Sequence, residues 1–323
     1  RKKLKKSIDS CITKSRFQNQ LKNIKKIEKK ITYLHEKACK LILNRNKNIN
    51  IDLIGFHGQT YLHKPQKKIS IQIGNAELLF KLTGINIISH FRDNDILNGG
   101  EGAPLTPIYH KLILSKIGSN LPAVIINIGG ISNITYLENL NENKIISFDT
   151  GPGNYLIDKW VSMKTKMKFD KMGSIAKSGK LNEKILKKII NNPYYKKKFP
   201  KSLDVKDLNL DQVKNLNLQD GCATLSTLTS RSIVKAIKRF KKKPKVIIIS
   251  GGGRKNEFII KSIKKLLNQP VYLIDKFNFN GDYIESQAFA YLAIRSYLKL
   301  PISFPDTTRC KKAVTGGEIV KNF

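Results

Sequence analysis

Apolar residues recur along this chain with two spacings, which together predict its secondary structure. Short β-branched runs predict buried strands, at residues 51–55, 69–73, 85–89, 123–127, 134–137, 145–148, 246–249 and 271–274. Apolar positions three or four residues apart predict helices, at residues 1 to about 47, 76–83, 107–116, 155–160, 181–192, 210–216, 222–240, 257–267 and 285–298. Strands that alternate with helices predict an α/β protein with layered sheets.

The same pattern predicts two domains. A polar break at Gly118-Ser119-Asn120 separates two groups of strands and helices. We therefore predict a first lobe over residues 1–119 and a second lobe over residues 120–323, with the last helix packing back toward the first lobe. Each group begins with strands that end in glycine-rich turns, and this arrangement predicts a cleft between the lobes.

One stretch, residues 85–105, changes from a buried strand into ionisable residues and glycines. Arg92, Asp93 and Asp95 follow the apolar run, and a glycine-rich loop comes next. In open α/β sheets ligands bind at the carboxyl ends of strands, so these groups are candidates for a site. The alternative is a solvated turn, because Asp-Asn-Asp is common in turns.

Three loops share one construction, in which glycines and a polar residue connect an apolar strand to a helix or hairpin. They are residues 127–130, 149–154 and 250–253. Glycines let main-chain N–H groups approach phosphate oxygens, and helix N-termini add partial positive charge. Three such loops in one lobe, one with Asp149 at its mouth, indicate a nucleotide and its metal; tight connections are the alternative. The Walker A pattern is missing and no GxGxxG follows the first strand, which disfavours P-loop and Rossmann enzymes.

The charge of the chain raises a different kind of partner. The 60 Lys and Arg residues outnumber the 24 Asp and Glu residues, for a net charge of +36, and such a balance is typical of proteins that bind nucleic acid or anionic membranes. Lysines nevertheless occur in every segment, often in pairs such as Lys25-Lys26 and Lys264-Lys265. This distribution favours lysine as a generic surface residue, so we expect no specific nucleic acid and no membrane partner.

Cysteine usage and the start of the chain restrict the class further. The four cysteines are Cys11, Cys39, Cys222 and Cys310. They form no CxxC pair and have no zinc spacing with the five histidines, so we expect free thiols in the cytoplasm. No run reaches the length of a transmembrane helix, and the basic residues 1–6 precede no apolar segment of a signal peptide. Because the chain starts with Arg1 and not methionine, we expect it to begin inside a longer protein.

Seven short motifs occur along the chain in a fixed order: Phe56-His57-Gly58-Gln59-Thr60, Ile71-Gln72-Ile73-Gly74, Phe91-Arg92-Asp93-Asn94-Asp95, Gly99-Gly100-Glu101-Gly102-Ala103-Pro104-Leu105, Asn127-Ile128-Gly129-Gly130-Ile131-Ser132-Asn133, Phe148-Asp149-Thr150-Gly151-Pro152-Gly153-Asn154 and Ser250-Gly251-Gly252-Gly253-Arg254-Lys255-Asn256. Together they resemble the anhydro-N-acetylmuramic acid kinase family, of the sugar kinase/actin superfamily, over about residues 50 to 318. The resemblance implies a two-lobed actin-like/ribonuclease H-like ATPase fold with a central cleft.

The resemblance also implies an activity. Such an enzyme uses ATP and magnesium to phosphorylate 1,6-anhydro-N-acetylmuramic acid on its 6-oxygen, while water opens the anhydro ring. The product, N-acetylmuramic acid 6-phosphate, belongs to peptidoglycan recycling in the cytoplasm. This chemistry needs a base that deprotonates the attacking water, and a carboxylate between sugar and phosphate meets that need. The implied partners are the sugar and ATP, and the superfamily resemblance makes a homodimer the expected assembly.

The resemblance assigns roles to individual residues. The family's base falls on Asp95, which we favour over Asp93. Arg92 is expected to orient that base or to bind the sugar's carboxylate; a structural ion pair is the alternative. The expected sugar-binding residues are Gln59, Thr60 and Glu285. The expected nucleotide-binding residues are Asn127, Gly129, Gly130, Asp149, Gly151, Gly153, Gly251, Gly252, Gly253 and Asn256.

A structural role is the alternative for two carboxylates and the expected role of two histidines. Asp149 is expected to hold magnesium through water, but it could instead cap the helix that follows. Glu285 could be a plain helix-start glutamate. His57 and His63 are expected to be structural histidines with satisfied hydrogen bonds.

Three features depart from the family pattern. The family's first phosphate loop, a Ser-Gly-Thr-Ser-x-Asp-Gly motif, is not in this sequence, so we expect a first lobe that is incomplete at its N-terminus. His90 stands where relatives carry Asp, and residues 203–206 replace the family's Thr-Gly-Arg-Glu. Two alternatives therefore stay open: a truncated or inactive homologue that binds sugar or nucleotide, and a basic nucleic-acid-binding protein.

Overall fold

The structure, a computed structural model, describes the backbone of residues 14–320 and the side chains of residues 23–320. The described residues form two compact units, which we call unit 1 and unit 2. Unit 1 contains the described residues up to Leu105 together with those from Ser286 onward, and unit 2 is the continuous stretch Thr106–Glu285. Both units contain strands and helices, so the predicted α/β class is confirmed.

The strands of the described chain are β1 (Leu53–Gly55), β2 (Gln59–Lys64), β3 (Ile69–Ile73), β4 (Asn86–Ser89), β5 (Ala123–Ile128), β6 (Ile131–Leu137), β7 (Ile146–Pro152), β8 (Val246–Ser250), β9 (Val271–Leu273) and β10 (Glu318–Val320). The helices are α1 (Lys14–Arg45), α2 (Ala76–Thr83), α3 (Asp93–Leu97), α4 (Pro107–Lys116), α5 (Tyr155–Lys164), α6 (Ser174–Ser178), α7 (Glu183–Ile190), α8 (Leu218–Ile237), α9 (Glu257–Leu266), α10 (Ile284–Tyr297) and α11 (Pro305–Thr308).

Unit 1 is built on a small sheet in which β4 is the middle strand. β4 is parallel to β1 and antiparallel to β10, and β2 and β3 form a separate antiparallel pair. Helix α2 begins at Asn75, whose side chain accepts a hydrogen bond from the N–H of Leu78, and ends at Gly84 with φ of 71°. A left-handed glycine is the usual end of a helix, as the sequence predicted. The buried apolar residues that α2 shares with this sheet are Phe56, Ala76, Leu79 and Ile87.

Unit 2 is built on a five-stranded sheet with the order β7-β6-β5-β8-β9. β5, β8 and β9 are parallel, and β6 runs antiparallel to both of its neighbours. Residues 123–126 and 247–249 are fully buried apolar runs, as expected for central parallel strands that are covered on both faces. The carboxyl ends of β5 and β8 therefore lie side by side, and the loops that follow them start at the same edge of the sheet.

Helix α8 is the most deeply buried helix of unit 2 and packs on helices α5, α6, α7 and α9 and on β7. Its small residues permit this close packing. A Cβ on Gly221 would overlap the indole ring of Trp160, and the Trp160 Nε1–H donates to the carbonyl of Leu218 at 3.0 Å. The buried tryptophan thus fixes α5 against the start of α8.

Several predicted elements differ from the observed ones. Residues 210–216 form turns and not the predicted helix. Within this segment Val213 donates its N–H to the carbonyl of Leu210, and Leu216 donates to that of Val213. Apolar residues spaced by three fit successive turns as well as they fit a helix, which explains the incorrect prediction. β2, β10 and α3 were not predicted, and the part of the first predicted helix before residue 14, with Cys11, lies outside the described residues.

Two boundaries also differ. β7 continues to Pro152, so Asp149 and Gly151 lie within a strand and not in a loop, because β6 extends far enough to pair with them. Unit 2 begins at Thr106, earlier than the predicted residue 120. Helix α4 belongs to unit 2 since the His110 side chain hydrogen-bonds to the hydroxyl of Thr135 on β6, at 2.8 Å.

Candidate active site

Asp95 lies on α3, shortly after the carboxyl end of β4, and its side chain is enclosed by protein. The residue is only 1% exposed. Its Oδ2 accepts a hydrogen bond from the N–H of Gly102 at 2.6 Å, and its Oδ1 accepts one from the hydroxyl of Thr308, also at 2.6 Å. A Cβ on Gly100 would overlap this carboxylate, so the approach of the loop depends on glycine there. A buried carboxylate must be hydrogen-bonded, and both oxygens of Asp95 meet this requirement.

Asp93, the alternative to Asp95, lies at the surface. Its side chain is 40% exposed and pairs with the Nδ1 of His90 at 3.0 Å. His90 adopts a positive φ of 57° and is itself exposed. The two carboxylates of the motif therefore have opposite environments, and only Asp95 is held in a defined position by unit 1.

Arg92 contacts neutral acceptors beside the Asp95 loop. Its Nε donates to the Nε2 of His57 at 2.8 Å, and its Nη1 donates to the carbonyl of Gly102. Because Nε2 of His57 accepts, the proton of this ring resides on Nδ1, which lies 2.9 Å from the carbonyl of Gly58. Burial and the neighbouring Arg92 charge lower the pKa of His57 to about 4. The ring also packs on Phe289 with centroids 4.5 Å apart. The hydrogen bonds of His57 are therefore satisfied, as predicted, and its structural role stays a prediction.

In unit 2, four polar residues form one row across the sheet. Asp149 of β7 is paired with Asn133 of β6, Asn133 with Asn127 of β5, and Asn127 with Ser250 of β8. Directly paired residues on neighbouring strands point to the same face of a sheet. The Oδ1 of Asn133 is buried and has no hydrogen-bond partner in the described part of the chain. The row therefore presents an unused acceptor beside Asp149, and sequence reasoning missed it because the position of Asn133 becomes clear only when β6 pairs with β7.

The loop after β5 and the loop after β7 are joined by backbone hydrogen bonds. The N–H groups of Gly153 and Asn154 donate to the carbonyls of Gly130 and Gly129 at 2.9 and 2.7 Å. The first N–H groups before α5 are therefore occupied, contrary to the expectation that Gly153 presents one to a phosphate. The N–H groups of Gly129 and Gly130 donate to no backbone carbonyl within residues 14–320. These two amides are the donors that this pair of loops offers.

The loop after β8 contains three glycines with different surroundings. A Cβ on Gly251 would overlap Oδ1 of Asn127, and a Cβ on Gly253 would overlap the side chain of Ile128. Gly252 has no atom within 4 Å of its Cβ position. Gly251 and Gly253 thus serve close packing on the end of β5, whereas Gly252 lies open. Asn256, also expected at the nucleotide, accepts from the N–H of Ile259 and caps α9.

Asp149 is held by the segment that precedes Asp204. Its N–H donates to the carbonyl of Lys201 at 2.9 Å, and its Oδ2 accepts from the N–H of Leu203 at 2.8 Å. The alternative that Asp149 caps α5 is wrong, because Asn154 occupies the N-cap position.

Burial, aided by nearby cationic side chains, lowers the pKa of Lys201 to about 8, and its ammonium lies 4.1 Å from the centre of the Tyr194 ring.

Comparison with known proteins identifies the family. The model of one family, described as "Anhydro-N-acetylmuramic acid kinase", matches residues 2–322. A curated protein of that name from Pelagibacter ubique is 46% identical over 314 residues, which cover 95% of this chain and 84% of the relative. Another from Zymomonas mobilis is 40% identical over 291 residues, covering 90% and 79%. The chain belongs to the anhydro-N-acetylmuramic acid kinase family. The resemblance inferred from the seven motifs is thereby confirmed, and the chain is a kinase.

Solved structures resemble this kinase only distantly. A ROK family glucokinase from Streptomyces griseus, in complex with glucose and AMPPNP, has 10% sequence identity and a TM-score of 0.37, covering 80% of this chain and 86% of that chain.

The expected ligand-binding residues divide between the units of the kinase. The ten residues expected at the nucleotide all belong to unit 2, whereas Asp95, Arg92, Gln59 and Thr60 belong to unit 1. Gln59 and Thr60 begin β2 and are half-buried, and Thr60 accepts a hydrogen bond from Gln72 at 3.4 Å.

Gly151 and Glu285, two of the expected site residues, differ in whether a ligand can contact them. Gly151 faces the side chains of Ser232 and Tyr195, which places it in packing. Glu285 is the exposed second residue of α10 and the last residue of unit 2.

Sequence reasoning also missed Arg254, which follows the three glycines of the β8 loop. It is 6% exposed and bridges two acidic residues, Asp275 at 2.8 Å and Asp282 at 2.9 Å. Its Nη1 also donates to the carbonyl of Gly251. Hydrogen bonds to Arg254 and Lys255 lower the pKa of Asp282 to about 2. These hydrogen bonds and ion pairs hold the glycine loop after β8 against the segment that precedes α10. The sequence gives no local signal for them, because Arg254 is far along the chain from both carboxylates.

Within residues 14–320, no three His, Cys, Asp or Glu side chains gather into a metal-binding group. Cys39, Cys222 and Cys310 are free thiols, as predicted, while Cys11 lies outside the described residues. No helix in the described part of the kinase is both long and apolar enough to cross a membrane.

Proposed function

We propose that this kinase transfers the γ-phosphoryl group of ATP to the 6-oxygen of 1,6-anhydro-N-acetylmuramic acid while water opens the anhydro ring. The product is N-acetylmuramic acid 6-phosphate, and the pathway is peptidoglycan recycling in the cytoplasm. One observation carries the proposal: Asp95 is a buried carboxylate whose two oxygens are each anchored by a hydrogen bond. The name of the family and of its curated relatives supports the choice of sugar.

In the proposed reaction, Asp95 accepts a proton from the water that attacks the anomeric carbon. The bond between that carbon and the 6-oxygen breaks, and the 6-oxygen bonds to the γ-phosphorus as ADP leaves. The two anchoring hydrogen bonds leave further lone pairs on the carboxylate oxygens to accept the proton. A base held in one position needs no reorientation at the moment of reaction, which supports its efficiency.

The proposed nucleotide contacts come from backbone N–H groups at the edge of the unit 2 sheet. Gly129 and Gly130 supply N–H groups that no carbonyl of the described chain occupies, and Gly252 leaves space for a phosphate to approach its backbone. Backbone N–H groups of successive glycines are well suited to phosphate oxygens. In this proposal Gly151, Gly153, Gly251, Gly253 and Asn256 shape the loops and do not donate to phosphate.

Mg²⁺ is the cofactor in this proposal. Asp149 and Asn133 occupy paired positions, and the unpartnered Oδ1 of Asn133 gives the pair a buried oxygen acceptor. Mg²⁺ prefers oxygen ligands and retains several waters, so the two side chains fit the ion through its water molecules. When bound, Mg²⁺ neutralises charge on the phosphate oxygens during transfer.

The sugar is assigned to the residues that the family motifs predict for it. Arg92 carries a fixed positive charge beside the loop that contains Asp95. We propose that it orients this loop through its hydrogen bond to the carbonyl of Gly102. Gln59, Thr60 and Glu285 keep the sugar-binding roles that their motifs predict. Gln59 and Thr60 are half-buried and Glu285 is exposed, so all three retain surface for a ligand.

The test is a reaction with ATP, Mg²⁺ and the anhydro sugar in water labelled with oxygen-18. We expect ADP and N-acetylmuramic acid 6-phosphate that carries one labelled oxygen, detected by mass spectrometry. Asp95→Asn should lower kcat by about 100- to 10,000-fold, the usual contribution of a general base. Asp93→Asn is the matched control and should stay within about twofold, because Asp93 is exposed. An unlabelled sugar product, or equal losses in both variants, would contradict the proposal.

A further inference from the structure

The hydrogen bond to Oδ1 of Asp95 comes from a residue that is distant in the sequence. Gly102, which donates to Oδ2, is seven residues from Asp95, whereas Thr308, which donates to Oδ1, is 213 residues away. Both donors belong to unit 1. Family motifs around Asp95 supply the first anchor only, so the second has no counterpart in the sequence pattern.

The hydroxyl of Thr308 is committed to Asp95 by its surroundings. Thr308 is fully buried, and its oxygen lies 2.6 Å from the carboxylate but 3.5 Å from the carbonyl of Phe304. A hydroxyl has one hydrogen to donate, and the shorter bond to a charged acceptor is the stronger one. Thr307, its neighbour, turns the other way and bonds to the backbone of Phe304. Two adjacent buried threonines thus have different partners, and only Thr308 reaches Asp95.

The segment that carries Thr308 is fastened to the Asp95 loop on several sides. The N–H of Glu101 donates to the carbonyl of Thr308 at 2.6 Å, and the N–H of Lys311 donates to that of Asn98 at 3.1 Å. Arg309 pairs with Glu101 at 3.0 Å. β10 pairs with β4, the strand that leads into the loop. These contacts fix the position of the Thr308 hydroxyl relative to the carboxylate.

We propose that Thr308 is a positioning residue for the reaction, which holds the Asp95 carboxylate in the orientation that accepts a proton from water. The proposal rests on the proposed function. A carboxylate anchored at one oxygen can rotate about its side-chain bonds, whereas anchors at both oxygens define one plane. Loss of the Thr308 hydroxyl therefore slows the proton transfer without removing a group that contacts ATP or the sugar.

The test compares Thr308→Val, Thr308→Ser and Thr307→Val in the full chain. Thr308→Val should lower kcat by about 10- to 100-fold, the range expected for loss of one hydrogen bond to a charged group. The KM values for ATP and for the sugar should stay within about twofold. Thr308→Ser keeps the hydroxyl and should restore kcat to within about threefold of the wild type. Thr307→Val is the matched control and should keep kcat near the wild-type value.

A second measurement does not depend on activity. The infrared band of the Asp95 carboxylate can be isolated as the difference between the wild type and Asp95→Asn. We expect this band to shift in Thr308→Val and to stay in place in Thr307→Val and Thr308→Ser. Circular dichroism and thermal melting show which variants are folded. If Thr308→Val does not fold, Thr308→Ala, which also removes the hydroxyl, takes its place in both measurements.

The outcomes separate the two proposals. A wild type without activity on the anhydro sugar, or an Asp95→Asn variant with full activity, overturns the proposed function and with it the role of Thr308. An active wild type and an inactive Asp95→Asn, together with a Thr308→Val variant of unchanged kcat, overturn the role of Thr308 alone. The role is also overturned if Thr308→Ser is as slow as Thr308→Val, if Thr307→Val loses as much, or if the carboxylate band does not move.

Discussion

Buried histidines couple the stability of this kinase to pH. His110 of unit 2 is 1% exposed and bonds to the Thr135 hydroxyl, and burial lowers its pKa to about 4. The folded state therefore binds fewer protons than the unfolded state between pH 6.5 and 4. Stability that is complete above pH 6.5 is lost as the pH falls through this window. The His57 pKa, also lowered to about 4, adds a loss of the same sign.

We predict that the unfolding free energy of the wild type falls more steeply from pH 7 to pH 5 than that of His110→Gln. Between pH 7 and pH 5 the two falls in unfolding free energy should differ by about 2 kcal/mol, since one pKa unit corresponds to about 1.4 kcal/mol. Asp158 acts in the opposite direction, because burial raises the pKa of its carboxyl to about 6, but it is present in both proteins and cancels. Guanidinium titrations at the two pH values measure the slopes, and parallel pH profiles would refute the prediction.

The sequence was least informative about the roles of single residues. The choice of Asp95 over Asp93 came from a family resemblance, and nothing in the local pattern separates two carboxylates of one turn. The two carboxylates differ because Asp95 accepts a hydrogen bond from Thr308, and only the folded unit 1 brings Thr308 to Asp95. Asn133 is similar, because its unpartnered oxygen becomes visible only when β6 pairs with β7. Residue roles that depend on distant partners are thus beyond local pattern reading.

At the scale of elements, the turn after β8 offers a matched pair of substitutions. A Cβ on Gly253 would overlap the Ile128 side chain, whereas the Cβ position of Gly252 is open. We predict that Gly253→Ala lowers the unfolding free energy by about 1–3 kcal/mol, as overpacking does. Gly252→Ala should leave the melting temperature unchanged or slightly higher but weaken ATP binding by roughly tenfold, about the worth of one hydrogen bond.

Differential scanning fluorimetry and ATP titration calorimetry measure both effects. Equal loss of stability in the two variants would refute the packing difference, and unchanged ATP affinity of Gly252→Ala would refute its assignment to the nucleotide.

Elements with strong local signals were predicted well. Helix α4 has the predicted bounds, Pro107–Lys116, and α2 ends at the predicted glycine. The strands β5 and β8 are continuous apolar runs and were equally clear. β10 was missed because its three residues are mostly exposed and it is a strand only through pairing with β4. The turns at 210–216 were predicted as a helix because a spacing of three fits both structures.

At the scale of the whole molecule, the charge of +36 permits a test of the alternative function. The lysines are dispersed over all segments, so their attraction for nucleic acid is expected to be diffuse. We predict weak binding of duplex DNA without sequence preference, abolished by moderate salt because counterion release drives it. Fluorescence anisotropy across a salt series measures this binding. Tight binding that persists at physiological salt and prefers one sequence would favour the nucleic-acid-binding alternative. The homodimer stays a prediction.

The order of the two units along the chain has a consequence for biosynthesis. Unit 2 is one continuous stretch, whereas unit 1 takes residues from before Leu105 and from after Glu285. A ribosome therefore synthesises all of unit 2 before it has made Thr308 or β10, and we expect unit 2 to fold first. Translation that stops short of Thr308 would yield a chain with every glycine loop in place and one oxygen of Asp95 without its donor. The segment that carries Thr308 thus decides whether a newly made molecule becomes competent.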